Sequence, residues 1–92
     1  MQMFAIYDKA ISGFMTPFFL QAKGEAIRQF LDAAQDPETP VAKHPEDFQL
    51  FYLGHFDNAS GEFVNEGPDK LITGLDVIYE NSQKSVDTDS DV

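Results

Sequence analysis

The spacing of apolar and polar positions changes along this chain, and each change marks an element. From Met1 to Tyr7, Phe4 and Ile6 alternate with Met3, Ala5 and Tyr7, a strand period with apolar residues on both sides. Asp8-Lys9-Ala10 predicts a turn, and Ile11 to Phe19 predicts a returning strand. Pro17 has no N–H to give to a ladder, so this second strand belongs at a sheet edge or on a bulge. The first and third strands are then expected at the centre.

The period next lengthens. Ala26, Ile27, Phe30, Leu31 and Ala34 recur at helical spacing and leave Glu25, Arg28, Gln29 and Asp32 on the wet side, which predicts a helix over Ala22 to Gln35. Glu25 suits the positive end of the helix dipole, although no Ser, Thr, Asp or Asn stands at the expected N-cap. Pro37 biases Asp36 away from helical geometry and ends the helix. Asp36 to Asp47, with its three prolines, reads as a loop.

Phe48 to Phe56 carries the strongest strand pattern. Phe48, Leu50, Tyr52 and Phe56 are expected on one face, and Gln49, Phe51, Leu53 and His55 on the other. Asp57 to Gly61 predicts a hairpin turn that returns the chain through Glu62 to Asn65. Pro68 to Tyr79 fits two periods: Leu71, Leu75 and Ile78 suit a helix, whereas Thr73, Leu75, Val77 and Tyr79 alternate like a strand. A short helix or turn packed on the sheet edge is expected there. The remainder, SQKSVDTDSDV, is polar and acidic and predicts a disordered tail over 82–92, after a single domain over 1–81.

These elements amount to an α+β fold, β-β-α-β-β, with a small antiparallel sheet of about four strands and one main helix on one face. A single helix covers one face of such a sheet, yet the strands are apolar on both. An uncovered second face would exceed the few hundred Å2 of apolar patch, roughly, that soluble monomers tolerate. The sequence therefore calls for a cover: the 68–79 segment, a second copy of the chain in a homodimer, or another partner. Tyr7, Phe51 and Tyr52 are the candidate exposed members of a binding face. Phe51 and Tyr52 point to opposite sides, so at most one of that pair is expected to remain accessible.

Charge narrows the partners. Six basic residues against sixteen acidic ones give a formal charge of −10, and the lysines and arginine are scattered. That argues against a general surface that tracks phosphates by counterion release. The absence of cysteine removes disulfides and thiolate metal sites. MQMFAIYD carries no signal-peptide pattern, and no apolar run is long enough to cross a bilayer.

Chemistry is thinly represented. His55 lies near Asp57, but neither it nor His44 has a third ligand at metal-binding spacing, and a strand-end imidazole is the simpler reading. Asp57-Asn58-Ala59-Ser60-Gly61 lacks the alternating oxygens and terminal Glu of a calcium loop. No nucleophile elbow, phosphate-cradling loop or paired-carboxylate signature appears, so no enzyme, cofactor or metal is expected.

The blocks Phe4 to Asp8 (FAIYD), Pro17-Phe18-Phe19, Ala26-Ile27-Arg28-Gln29-Phe30 and HPEDFQLFYLGHFDNASG, in this order and spacing over about residues 3 to 75, resemble the small non-structural protein of gokushovirus-type microviruses, tailless single-stranded DNA phages. The resemblance implies a phage protein made in the host bacterial cytoplasm and absent from the mature virion. It implies a counterpart of the microvirus protein that switches replication toward single-stranded genome synthesis and packaging, in a family described as DNA-binding. The expected partners are the replication initiator, the procapsid or single-stranded DNA, met through the aromatic sheet face. An acidic DNA-mimic acting on a host protein and a purely architectural homo-oligomer are the alternatives.

Overall fold

A computed structural model describes residues 1–78. The expected acidic tail over 82–92, and residues 79–81 of the expected domain, lie outside the described residues. The chain forms β1 (Gln2–Asp8), β2 (Gly13–Phe14), β3 (Phe18–Leu20), α1 (Lys23–Gln35), α2 (Pro40–Lys43), a 3-10 turn (Pro45–Asp47), β4 (Phe48–Phe56) and β5 (Phe63–Thr73). All pairings are antiparallel, in the order β2-β1-β4-β5, with β3 also paired to β1. The fold is thus the expected α+β arrangement, with β1 and β4 at the centre.

The expected second strand over Ile11 to Phe19 is cut into β2 and β3. Met15, Thr16 and Pro17 separate them, because a residue without an N–H cannot continue the ladder. The turn before it is held by Asp8, whose Oδ1 accepts the Ala10 N–H at 2.9 Å.

Helix α1 starts without a capping side-chain oxygen at Ala22; instead Glu25 Oε1 reaches back to the Ala22 N–H at 3.1 Å. Its apolar stripe buries Ala26 and Phe30 against the sheet. The predicted loop over Asp36 to Asp47 is shorter in truth, because Pro40 and Pro45 each open a helical turn at a position whose N–H would be unpaired anyway. Thr39 caps α2 through its Oγ1, which accepts the Ala42 N–H at 3.2 Å, and Val41 drops into the core.

The core lies between the sheet and α1: Phe4, Ala26, Phe30, Val41, Phe48, Leu50, Tyr52 and Val77. Phe4, Phe30 and Leu50 are almost fully buried, each stabilising the fold by about 1.5–3 kcal/mol. Phe4 stacks on Phe18 at 5.9 Å and meets Tyr52 at 5.7 Å.

The segment after Asn65 departs from expectation. β5 continues through Pro68 to Thr73, and a helical turn begins at residue 74 and runs through the last described residue, 78, with Val77 turned into the core. β5 is an edge strand, so Pro68 can sit where no ladder N–H is required. Backbone pairing with β4 overrides the weak strand propensity of Asn65, Asp69 and Lys70, while Glu66 to Pro68 fall in an irregularity between the Asn65 and Asp69 pairs.

Candidate functional site

Register determines which side chains share the face opposite α1. Met3 pairs with Phe19, Ala5 with Phe51, and Tyr7 with Phe14, all on the side away from Phe4 and Leu50. The rings of Tyr7, Phe14 and Phe51 meet edge to face, with centroids 5.0 Å (Tyr7–Phe14), 5.3 Å (Phe14–Phe51) and 6.2 Å (Tyr7–Phe51) apart. Farther along, Phe19 and Phe56 approach at 6.4 Å. With Met1 and Asn58 they line a concavity of about 380 Å3.

A bulge creates this second group. Met3 pairs with Gly54 and Phe4 with Tyr52, leaving Leu53 as an extra residue in β4. The alternation shifts by one: His55 moves to the helix side opposite Gln2, and Phe56 moves to the open side. The expected grouping of Phe56 with Phe48, Leu50 and Tyr52, and of His55 with Phe51, is corrected accordingly. Gly54 permits the bulge. Its φ is +148°, and a Cβ there would stand 2.0 Å from the Val64 carbonyl oxygen and 3.1 Å from the Phe63 ring.

Among the described residues nothing covers the open face. Phe14, Phe19 and Phe63 are 44–45% exposed and Phe56 36%, whereas Ala5 between them is already buried. The last described turn, through Val77, packs on the helix side. Lys70, opposite Phe51, is the one charged residue that register assigns to the open face among the described strands; Asp8, Glu66 and Asp69 fall on the other side with Phe48, His55 and Tyr52. The acidic groups of the described strands are thus segregated from the aromatic surface.

Of the three residues singled out from sequence, Tyr7 and Phe51 lie together on this face. Tyr52 does not: it is 8% exposed and part of the core on the helix side, because β4 alternates cleanly up to the bulge. Phe14, Phe19, Phe56 and Phe63 belong to the face and were not selected. Their signal was available in the apolar positions flanking Pro17 and Gly54, but the bulge that turns Phe56 outward has no unambiguous sequence mark.

A polar cluster closes the helix side of the same bulge. Glu66 Oε1 accepts the Tyr52 hydroxyl at 2.7 Å and lies 2.8 Å from His55 Nδ1, while Lys23 Nζ stands 4.4 Å over the Tyr52 ring. The hydrogen bond to Glu66, burial and the nearby negative charge raise the Tyr52 pKa. The bonds from Tyr52 and His55 lower that of Glu66. This is the opposite of nucleophile activation. The cluster ties β5 to β4 where their ladder is interrupted. On an exposed turn, ligand atoms of His44, Glu46 and Asp47 come within 4.8 Å of one another, a grouping that linear spacing did not reveal.

No helix among the described residues is long and apolar enough to cross a membrane. In comparisons with known proteins, a family described as phage ORF5 protein matches residues 1–77. Protein ORF5 of Chlamydia phage 1 is 33% identical over 64 residues, covering 65% of this chain and 67% of that protein. No solved structure matches.

Proposed function

Because the chain belongs to the phage ORF5 protein family and is a microvirus-type small phage protein, we propose that it is a non-catalytic accessory protein of genome replication. It acts in the host cytoplasm, without entering the mature virion, at the step where single-stranded genome synthesis meets packaging. It works through the open aromatic face as a protein-binding surface, in the service of the replication initiator or the procapsid. The observation that carries this reading is that face itself: rings more than a third exposed on a surface that register leaves without carboxylates. Large aromatic anchors are what protein interfaces concentrate in their buried centres.

The same rings favour a second reading, stacking on the bases of single-stranded DNA. Against it stands the single lysine assigned to the face within a chain of charge −10. The test is a phage encoding Phe14→Ser with Phe19→Ser. The double-stranded replicative form should accumulate normally while encapsidated single-stranded genome falls several-fold. An unchanged yield of encapsidated genome, with the substituted protein present and folded, refutes the proposal. Fluorescence titration of an unlabelled oligothymidylate at low salt separates the second reading, which requires saturable binding there.

A further inference from the structure

We infer that the open face is covered by a second copy of this chain, giving a two-fold dimer in which the sheets pack face to face and each α1 points outward. The inference rests on the reading of that face as the working surface and names its occupant.

Three observations select a second copy. The first is area. Phe14, Phe19 and Phe63 at 44–45% exposure, Phe56 at 36% and Met1 at 37%, with half-buried neighbours, offer on the order of 600 Å2 of surface per chain. Doubled, this is about 1,200 Å2, which reaches the lower bound of stable specific interfaces. The second is charge. A copy of the chain carries −10, so two copies can approach closely only through a surface free of carboxylates. Register places Asp8, Glu66 and Asp69 on the helix side and leaves Lys70 on the open side. Among the described strands, phosphates would find one cation there, and a basic protein would find no acid.

The third is the state of the edges. Pro17 interrupts the strand at one edge of the sheet and Pro68 sits within the strand at the other. Prolines at edges oppose edge-to-edge pairing, so the flat face remains the route to association. Sheets so packed lie about 10 Å apart with both inner rows interdigitated. The depression lined by Met1, Phe19, Phe56 and Asn58 is where a ring of the facing copy inserts.

Sedimentation equilibrium of the full chain, at about 0.05 M and about 0.5 M salt, reads the prediction directly. The expected particle has twice the chain mass of 10.3 kDa, and its association tightens with salt because like net charges are screened while apolar contact is not. A complex with nucleic acid loosens with salt instead. Phe14→Asp and Phe19→Asp, both at exposed positions, should each weaken association about thirtyfold or more. Ile11→Asp, which alters an exposed residue of the turn, should leave it unchanged. If either aspartate variant loses its circular dichroism, the corresponding serine variant is read in its place. A chain that stays monomeric at every concentration and at both salts overturns the inference, as does a dimer indifferent to the face substitutions, or displacement of the second copy by oligothymidylate. A monomer whose Phe14→Ser, Phe19→Ser phage still fails to encapsidate genome refutes the dimer and leaves the functional reading standing.

Discussion

Gly54→Ala is the substitution through which the bulge can be tested. The added Cβ meets the Val64 carbonyl oxygen at 2.0 Å and the Glu66 nitrogen at 3.1 Å, both backbone atoms of the paired strand, so no side-chain rotation relieves it. The φ of +148° is also a region that residues with a Cβ adopt only under strain. Strain of about 1–3 kcal/mol, plus a displaced ladder hydrogen bond at about 1 kcal/mol, gives a loss near 3 kcal/mol. A domain of this size has about 4–12 kcal/mol in total, so the variant should be severely weakened but still folded in the cold. Equilibrium urea unfolding followed by far-ultraviolet circular dichroism checks it, with the midpoint expected to fall by about 1–3 M. A midpoint within about 0.3 M of the parent, at unchanged slope, would show that β4 and β5 do not approach as described.

Substitutions at three other positions give further outcomes. Gly24→Ala, in the first turn of α1 where a Cβ has nothing within 4 Å, should raise stability by up to about 0.5–1 kcal/mol in the same urea assay. Leu50→Ala removes a fully buried side chain and should cost about 2–5 kcal/mol, read as a fall in Tm. Stability should depend on acid through Glu66, whose pKa is lowered from its ordinary value of 4.5 by the Tyr52 and His55 hydrogen bonds. A depressed carboxylate contributes stability that is present above the unfolded value and lost as pH falls through the folded one. Asp57, lowered from 3.8 by the Ala59 and Ser60 N–H groups, acts in the same direction. Glu66→Gln should therefore flatten unfolding stability between about pH 5 and pH 3, and a slope identical to the parent would count against the Tyr52–Glu66–His55 tie. The same substitution should bring the raised Tyr52 titration back toward 10.0, measured by ultraviolet absorbance.

Most of the fold was legible because burial and period agree. β4 runs over Phe48–Phe56 as its alternation predicts, and α1 begins at Lys23 and ends at Gln35, one residue from the predicted start. Legibility failed where backbone geometry departs from period two. Leu53 as an extra residue moves Phe56 to the open side, and nothing in the apolar pattern distinguishes that from regular alternation. β5 was missed beyond Asn65 because Glu66, Gly67 and Pro68 look like a turn; they fall in an irregularity of the ladder, and pairing to β4 resumes at Asp69. The face itself was foreseeable from strands apolar on both sides. Of Phe51 and Tyr52, at most one of which was expected to stay accessible, Tyr52 is the buried one, its hydroxyl bonded to Glu66 within the fold.

The pairing of β1 with β4 has a consequence for how the chain is made. Gln2–Asp8 can pair with Phe18–Leu20 as soon as both are made, but its other neighbour is Phe48–Phe56, so Phe4 lacks Tyr52 and Ile6 lacks Leu50 until the ribosome has released that later segment. Local turns and α1 can form earlier, but the step that creates the sheet waits on distant parts of the chain, which makes its folding slower than that of a helical protein of equal length. Until then the β4 side of Gln2–Asp8 stays unpaired, and any chaperone that recognises nascent aromatic stretches meets its substrate in that interval.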